Sequence, residues 1–296
     1  MNEYIILTIS MSAALANNIL NKCFAKKSTG RFQTSLLYNT CMAFLATLTL
    51  LVFGGFGACS WVTAILGILF GAIIVVQGIT TLKALEIGPM SYTTVIVSFS
   101  TIITALSGCL FFGETIGMWQ IFGIVFMLIS FIFAVEKNAD KKGVSFRWLL
   151  FCLIGFAGSG GIGLMQKIHQ NTPYKAELNA FLVIAFTTVC ISTGIWYLLL
   201  CKKEKQGLIP QKEDGKIHKA LLLLSACVGV FAGINHKLNL YLSGVMPSAV
   251  FFPIVNGGGL VLATLAALIV FKEKLTKRQW FGLIVGFISV LFLCIQ

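Results

Sequence analysis

Ten apolar stretches, each long enough to cross a lipid bilayer as a helix, follow one another along this chain. They occupy residues 4–23, 35–53, 61–82, 90–112, 118–135, 148–165, 180–200, 220–242, 248–271 and 280–295. A spanning helix needs about 20 apolar residues, and none of these stretches shows the alternating pattern of a membrane β-strand. The sequence therefore predicts an all-α polytopic membrane protein with ten transmembrane helices.

The composition argues against a soluble protein of this size. Charged residues make up 11% of the 296 residues and hydrophobic residues 57%, with a mean hydropathy of +0.92. Soluble domains carry about a quarter charged residues, because their surface faces water. The connections between the apolar stretches are too short for a separate soluble domain. We expect an integral membrane protein, located in the plasma membrane of a bacterium.

The net charge of +12 indicates an orientation in the membrane. Of the nine connections between stretches, the odd-numbered ones hold 19 of the 22 Lys and Arg residues, and the even-numbered ones hold Lys167 and Lys175. Basic residues accumulate in cytoplasmic loops, so this asymmetry places the odd-numbered connections inside and both termini outside. Contact with anionic membrane lipid is a secondary role that we expect for these basic residues. We expect no nucleic-acid partner.

Patterns typical of catalysis or metal binding do not occur in the sequence. The acidic residues lie in connections or at the ends of apolar stretches, and there is no H-E-x-x-H pattern. The nine cysteines show no C-x-x-C spacing, which favours small packing residues over a metal site or a disulfide framework. We therefore expect no enzyme, no cofactor and no metal. A polycationic substrate is disfavoured, because a cation inside the bilayer needs a buried carboxylate.

The two halves of the chain repeat each other. A shift of 159 residues superimposes eight residues on identical ones: Phe112, Glu114, Gln120, Phe122, Gly123, Ile129, Ser130 and Phe133 on Phe271, Glu273, Gln279, Phe281, Gly282, Ile288, Ser289 and Phe292. A shift of 158 places Gly71, Gln77, Leu82 and Pro89 on Gly229, Asn235, Leu240 and Pro247, and a shift of 145 places Asn21 and Lys22 on Gln166 and Lys167. The sequence thus predicts two repeats, at residues 1–137 and 138–296.

Each repeat contains five stretches, an odd number, so the second repeat enters the membrane from the opposite side. Two inverted copies can each adopt two conformations, and exchanging these conformations opens a central site to alternate sides of the membrane. Two inverted five-helix repeats therefore predict a secondary transporter.

The segment that runs from Ala84 to Ala134 also resembles a known domain. It combines an A-L-x-x-G-P entry, a long apolar run, the pair Gly113-Glu114 at the end of that run, and a Gln-x-x-Gly pattern opening the next one. These features are similar to the second part of an EamA-type domain of the drug/metabolite transporter superfamily. The second half repeats the pattern, with Lys272-Glu273 in place of Gly113-Glu114.

The resemblance implies ten helices around a central cavity, which the first, third, fourth, sixth, eighth and ninth helices line, and the import or export of a metabolite. Two features depart from the family. Many members carry a proline where this chain has Thr101 and Leu260, and many keep their termini inside. The direction of transport therefore stays open. We expect a monomer or a homodimer.

Polar side chains in the eighth stretch form the first candidate site. Lys237 is the charge that lies clearly inside an apolar stretch, and Asn235, His236 and Asn239 stand beside it. Ionisable residues inside a membrane are functional candidates, which predicts that Lys237 binds an anionic group and that His236 exchanges a proton. In the alternative, Lys237 extends to the outer interface and His236 is structural.

Other stretches contribute further candidates for substrate contact. They are Gln77, the repeat mate of Asn235, together with Asn17, Asn21, Ser98 and Thr101. Amides and hydroxyls inside a membrane also form helix-to-helix hydrogen bonds or bond to their own helix, and these are the alternatives. For Glu114 and Glu273 we expect a structural role at a helix end. The glycines between Gly155 and Gly163 predict close packing of the sixth helix, with a hinge as the alternative.

The segment PIVNGGG, from Pro253 to Gly259, interrupts the ninth stretch with residues that disfavour a helix. Broken helices often mark the binding site of a transporter, since their freed backbone groups can face a ligand. The repeat places this segment opposite Val95 to Thr101, which contains no such residue, so we expect a break in the ninth helix only. Asn256 is then a substrate contact. The alternative is a continuous helix, kinked at Pro253, whose glycines admit a neighbouring helix.

These features together predict a secondary transporter that moves a small neutral, zwitterionic or anionic metabolite, such as an amino acid, by alternating access. Two alternatives stay open. One is a flippase for a lipid-linked head group, and the other is a membrane receptor or assembly subunit that transports nothing.

Overall fold

The chain is almost wholly helical. The computed structural model describes residues 3–27, 32–88, 90–134, 145–203, 215–270, 272 and 275–295, and these ranges contain twelve α-helices and no strand. The helices are α1 (Glu3–Lys27), α2 (Phe32–Gly54), α3 (Trp61–Ile87), α4 (Met90–Ser98), α5 (Thr101–Phe112), α6 (Met118–Ala134), α7 (Phe146–Gln170), α8 (Leu178–Lys203), α9 (Gly215–Val245), α10 (Ser248–Pro253), α11 (Gly259–Ile269) and α12 (Lys277–Cys294). A 3-10 turn, Lys175–Glu177, precedes α8, and a π-helical turn, Ile254–Gly258, joins α10 to α11. The all-helical prediction is confirmed for these residues.

Eight helical segments among the described residues are long and apolar enough to cross a membrane. They are Glu3–Phe24, Phe32–Gly54, Trp61–Ile87, Tyr92–Phe112, Phe146–Gln170, Lys175–Lys203, Ser248–Ala266 and Lys277–Cys294. The other two predicted spans coincide with α6, which is apolar but has 17 residues, and with part of α9. Long apolar helices therefore support an integral membrane protein.

The chain divides into two compact units, and each unit contains segments of both predicted repeats. Unit 1 consists of Met1–Val75 and Thr172–Tyr241, and unit 2 consists of Val76–Asn171 and Leu242–Gln296. In unit 1, α2 packs along α8, and the hydroxyls of Thr40 and Thr193 lie 2.9 Å apart between them. Leu36 and Tyr197 are buried together at the same contact.

In unit 2, α6 packs along α12 through a reciprocal pair of hydrogen bonds. The hydroxyl of Ser130 donates to the backbone oxygen of Gly282 at 2.7 Å, and the hydroxyl of Ser289 donates to the backbone oxygen of Gly123 at 2.6 Å. Both serines are buried. Ser130 and Ser289 correspond under the shift of 159 residues, and so do Gly123 and Gly282. The two helices therefore make the same contact in both directions.

Glycines of α7 lie against neighbouring helices in unit 2. A Cβ atom at Gly158 would stand 2.8 Å from the Cβ of Gln77, and one at Gly160 would stand 2.7 Å from the Cδ1 of Ile103. A Cβ atom at Gly163 would overlap the side chain of Thr104. The prediction of close packing for this glycine segment is confirmed, because a larger residue at these positions would separate the helices.

Two of the predicted spans are interrupted, where we expected one. α4 ends at Ser98 and α5 begins at Thr101, so the expectation of an unbroken fourth helix is wrong. Across this interruption the amide of Ser100 donates to the oxygen of Val97 at 3.1 Å, and the amide of Ile103 donates to the oxygen of Ser100 at 2.9 Å. These three-residue steps tighten the chain, whereas the π-helical turn widens the ninth span.

No glycine or proline stands at the break in the fourth span, but a side-chain hydrogen bond does. The hydroxyl of Thr101 donates to the backbone oxygen of Ser98 at 3.0 Å. Ser and Thr side chains offer the backbone such local partners and thereby compete with regular helical hydrogen bonds. Under the shift of 158 residues that places Val95–Thr101 opposite Pro253–Gly259, positions 99 and 100 correspond to positions 257 and 258 of the π-helical turn, so the two breaks overlap in the two predicted repeats.

Candidate substrate site

The two interrupted spans meet at their breaks in unit 2. The side-chain amide of Asn256, in the π-helical turn, donates to the hydroxyl of Thr101 at 3.0 Å. That hydroxyl donates in turn to the backbone oxygen of Ser98. These three residues were predicted separately as substrate contacts, and the structure brings them together. We call this set, Ser98, Thr101 and Asn256, the break site.

The break site combines a buried hydroxyl with an exposed amide. Thr101 is 2% exposed, whereas the Asn256 side chain is exposed. The amide oxygen of Asn256 accepts no hydrogen bond from the residues that the structure describes, because its one bond there is through the nitrogen. An amide oxygen is an uncharged acceptor with two lone pairs. The break site can therefore accept an N–H or O–H group without requiring a counter-charge.

The π-helical turn follows from the residues that precede and form it. Pro253 has no amide hydrogen, so the regular hydrogen-bond ladder loses one donor at the end of α10. A Cβ atom at Gly257, inside the turn, would overlap Met127 of α6. A Cβ atom at Gly259, the first residue of α11, would meet open space. The glycines thus have different roles. Gly257 admits a neighbouring helix, as the alternative interpretation expected, and it does so at a break in the span.

Asn235 and Asn239 form a polar network with α1 in unit 1. The amide of Asn235 donates to the backbone oxygen of Ser10 at 2.9 Å, and the hydroxyl of Ser10 donates to Asn239 at 2.5 Å. The amide of Asn239 donates back to Asn235 at 3.2 Å. These contacts agree with the alternative in which the amides join helices. Substrate contact by Asn235 and Asn239 stays a prediction.

His236 lies between two aromatic rings of unit 1. Its ring makes edge contacts with Phe70, at a centroid distance of 6.3 Å, and with Phe186, at 5.2 Å. Its Nδ1 atom is buried and has no hydrogen-bond partner among the described residues. His236 follows Asn235 directly in α9 and therefore lies beside the face that binds Ser10. Proton exchange by His236 stays a prediction.

The ammonium group of Lys237 lies at the end of α2. A Cβ atom at Gly54, the last residue of α2, would stand 2.6 Å from the Nζ of Lys237 and 2.6 Å from the Oδ1 of Asn179. The amide nitrogen of Asn179 donates to the backbone oxygens of Leu50, at 3.1 Å, and of Gly55. A cation is stabilised near the carboxyl end of a helix, whose terminal oxygens carry partial negative charge. This position agrees with the alternative in which Lys237 extends to the interface, and anion binding stays a prediction.

The remaining predicted residues also have partners within their own units. Asn21 donates to Asn17 at 2.8 Å and accepts a hydrogen bond from the hydroxyl of Tyr38. Gln77 donates to Thr81, one turn further along α3, at 3.3 Å. Asn17, Asn21 and Gln77 are each partly buried. Substrate contact by these three residues stays a prediction.

A buried ion pair in unit 2 was not predicted from the sequence. The Nζ of Lys167 lies 2.5 Å from the Oε1 of Glu114, and the Lys167 side chain is 5% exposed. Lys167 was expected in a connection, but α7 continues beyond residue 165 and contains it. The amide of Ser248 donates to the Oε2 of Glu114 at 2.7 Å, which agrees with a structural role for this carboxylate. Its symmetry mate, Glu273, lies outside the described residues.

The pair Gly113-Glu114 is the sequence feature that could have indicated this ion pair. Gly113 has a φ of 67°, in the left-handed region that favours glycine, and it ends α5. The amide of Glu114 then donates to the oxygen of Gly108 at 3.0 Å, which turns the chain back over the helix end. The pair therefore directs a carboxylate toward the neighbouring helices. In the part of the chain that the structure describes, no three His, Cys, Asp or Glu side chains converge as metal ligands.

Comparisons with known proteins establish the fold. No protein-family model matches the chain. An uncharacterized protein of Haemophilus influenzae is 23% identical over 220 residues, which cover 74% of this chain and 70% of that protein. A protein of known crystal structure superimposes with a TM-score of 0.74, at 13% identity, over 98% of this chain and 96% of that one. This chain therefore shares its fold, over nearly its whole length, with a solved structure.

Proposed function

We propose that this protein is a secondary transporter that moves a small neutral, zwitterionic or anionic metabolite across a membrane by alternating access. The observation that carries the proposal is the break site. Two spans are interrupted at corresponding places of the two repeats, and Asn256 and Thr101 join the interruptions at 3.0 Å. Discontinuous helices expose backbone and side-chain groups at membrane depth, where a transported solute binds.

The proposal includes ten spans in two inverted five-helix repeats. The reciprocal hydrogen bonds of Ser130 and Ser289 support it. When a twofold axis relates two elements, each contact occurs twice with the partners exchanged. The corresponding breaks in the fourth and ninth spans are a second support. We further propose, from the motifs around Gly113-Glu114 and their repeat, that the chain is an EamA-type member of the drug/metabolite transporter superfamily.

The chemistry of the break site suggests the class of substrate. Its groups are an amide, a hydroxyl and a backbone oxygen, and none of them carries a charge. A ligand with O–H or N–H groups satisfies the amide oxygen of Asn256 without leaving a charge unpaired in the membrane. A small polyol fits this description, whereas the charged groups of an amino acid or a hydroxy acid need partners outside the break site. Anion binding by Lys237, which lies in unit 1, is a separate part of the proposal.

The orientation in the membrane follows the distribution of basic residues. We propose that both termini lie outside the plasma membrane of a bacterium and that the odd-numbered connections lie inside. Membrane lipid and the transported metabolite are the proposed partners, and the protein acts as a monomer or a homodimer. No cofactor or catalytic step is part of the proposal.

Counterflow in liposomes tests the function. Full-length protein is reconstituted in liposomes that are loaded with one unlabelled metabolite, and uptake of its labelled form is measured across a panel of amino acids, organic acids, polyols and phosphorylated metabolites. We expect saturable exchange of at least one metabolite, a loss of at least about tenfold in Asn256→Ala, and little change in Thr264→Val. Thr264 is a matched control because its hydroxyl donates to Leu260 of its own helix.

Two outcomes of this experiment would contradict the proposal. Movement of a fluorescent lipid between leaflets, without exchange of any metabolite, would identify a flippase. Neither activity, from protein that is shown to be folded by its thermal unfolding, would favour a receptor or an assembly subunit.

A further inference from the structure

A polar anchor holds the first turn of α10 in unit 2. The carboxylate of Glu114 pairs with Lys167 through Oε1, at 2.5 Å, and accepts the amide of Ser248 through Oε2, at 2.7 Å. Lys167 also donates to the backbone oxygen of Met246, the residue that follows α9, at 3.1 Å. We call this set, Glu114, Lys167, Met246 and Ser248, the α10 anchor. It joins the ends of α5, α7 and α9 to the start of α10.

Burying the two charges of the α10 anchor costs hydration free energy that a stable helix contact does not require. Both charges lose most of their hydration, since the Lys167 side chain is 5% exposed and that of Glu114 is 20% exposed. A Cβ atom at Gly108 would overlap the Glu114 carboxylate. The carboxylate therefore fits against α5 only because position 108 is a glycine. Apolar residues of similar size often replace a buried ion pair without loss of stability. The best-attested reason to keep such a pair is that it selects one of two arrangements.

The segment that the anchor holds is fixed to α5 at two places. α10 packs against α5, with Ser248 near Gly108 at one end of that helix and Asn256 bonded to Thr101 at the other. Between these two points, Pro253 and the π-helical turn interrupt the regular hydrogen bonding of the span. A short helix with a weakened end can pivot once its other end is free.

We infer that the ion pair between Lys167 and Glu114 is a releasable lock, which positions Asn256 at the break site and which opens during the transport cycle. When the pair is closed, α10 is held along α5 and the bond between Asn256 and Thr101 forms. When the pair opens, α10 loses its fixed end and the break site changes shape. This inference rests on the proposed function, but the lock itself can be measured without a substrate.

Hydrogen–deuterium exchange in lipid nanodiscs tests the lock. The double variant Glu114→Gln, Lys167→Met removes both charges together, so neither is left unpaired, and the new side-chain amide oxygen at position 114 can still accept the amide of Ser248. We expect its thermal unfolding to stay within about 5 °C of the unmodified protein, since removing both charges together leaves neither one buried without its partner. Amide exchange in the Ser248–Pro253 segment should rise at least about tenfold, while exchange in α6 and α12 stays unchanged.

Two further variants make the result specific. Gly108→Ala displaces the Glu114 carboxylate and leaves both charges in the chain, but its methyl group would also lie 2.8 Å from the Cβ of Ser248. An unchanged exchange pattern in this variant therefore counts against the lock, whereas a rise supports the lock only together with a rise in the double variant. Ser100→Ala removes a hydrogen bond between Ser100 and Ser159, at 2.8 Å, that joins the same α5–α7 region without touching the anchor. It should not increase exchange in the Ser248–Pro253 segment.

Three outcomes would overturn the lock. Unchanged exchange at Ser248–Pro253 in a folded double variant would show that the pair does not hold α10. A rise of equal size in α6 and α12 would show general destabilisation. If the double variant does not fold, an unchanged Gly108→Ala exchange pattern would have the same meaning. A selective rise together with no transport by the unmodified protein would support the lock and contradict the proposed function.

Discussion

The hydroxyl of Thr101 has a partner on each side, since it accepts from Asn256 and donates to the backbone of Ser98. It is 2% exposed, so water cannot replace either partner. At the scale of single residues, one oxygen atom therefore lies at the break in the fourth span and makes the contact with the ninth. The substitution that removes this atom and keeps the shape of the side chain is valine.

We predict that Thr101→Val lowers the free energy of unfolding by about 1 kcal/mol, because it leaves the Asn256 amide and the Ser98 oxygen without their partner. Unfolding in mixed micelles, followed by circular dichroism, measures this difference. Thr264→Val should change the free energy by less than about 0.5 kcal/mol, since its hydroxyl bonds only to its own helix. Equal effects of the two substitutions would show that the contact at the break site adds nothing.

Two glycines of the π-helical region allow a second matched comparison. We predict that Gly257→Ala destabilises the protein by about 1–3 kcal/mol, because the new methyl group overlaps Met127, which is 1% exposed and cannot move into water. Gly259→Ala should be neutral or slightly stabilising, because it meets open space in a helix. Thermal unfolding of both variants measures the difference. A partial rescue of Gly257→Ala by Met127→Ala would identify the overlap as the cause.

At the scale of helices, the contact between α6 and α12 supports the proposed inverted repeat. The sequence alone aligned Ser130 with Ser289 and Gly123 with Gly282, but it could not show that the two pairs contact each other. Corresponding residues of two inverted repeats meet only near the axis that relates them. The structure supplies that contact in the form of two hydrogen bonds of nearly equal length, 2.7 and 2.6 Å.

We predict that Ser130→Ala and Ser289→Ala have equal effects, each lowering the free energy of unfolding by about 0.5–1.5 kcal/mol, the range of interhelical hydrogen bonds in membranes. Ser107→Ala is the control, because the Ser107 hydroxyl donates to Thr104 of its own helix. The three variants are compared in one unfolding assay. A large effect of one serine and none of the other would contradict a symmetric contact.

The helices themselves were predictable, and the details at their ends were not. Apolar length determined the spans, because a bilayer requires it, and Pro253 and the glycines after it predicted the break in the ninth span. The break after Ser98 went unpredicted because no glycine or proline marks it, and the hydroxyl of Thr101 makes a kind of bond that also occurs in intact helices, as from Thr104 to Thr101. Lys167 was misplaced because the apolar pattern stopped at residue 165 while α7 continued to Gln170.

The candidate contacts of the break site came from two separate signals. Mid-span hydroxyls indicated Ser98 and Thr101, and the segment of Pro253 and the glycines indicated Asn256. For Asn235 and Asn239 the signal was polarity inside a span, to which the repeat added Gln77 as the mate of Asn235, and neither signal distinguishes a ligand from a neighbouring helix. Ser10, which binds both amides, lies 225 positions from Asn235 in the sequence, and no pattern linked it to them.

At the scale of the whole molecule, the orientation in the membrane rests on charge and can be tested at one thiol. Cys59 is exposed between α2 and α3, in the second connection, which we propose to lie outside. Slight burial and the negative charge of Glu177 raise the pKa of Cys59, so its reactive thiolate forms at higher pH than in a free cysteine.

We predict that a membrane-impermeant maleimide labels Cys59 on intact cells, and that the rate is low near neutral pH and rises as the pH increases through the raised pKa. Cys59→Ser identifies the signal. The control is Lys277→Cys in a chain that lacks the other cysteines; Lys277 is exposed at the start of α12, in the ninth connection, and the reagent should reach it only after the membrane is opened. The reverse pattern would place both termini in the cytoplasm.

The central claim is that the break site faces water from each side of the membrane in turn, and a cysteine at position 256 tests it most directly. Asn256→Cys, in a chain that lacks the other cysteines, is reconstituted in liposomes and treated with impermeant maleimide from the outside or from the inside. We predict labelling from both sides. No labelling from either side would place residue 256 against lipid, and labelling from one side only would contradict alternating access at this position.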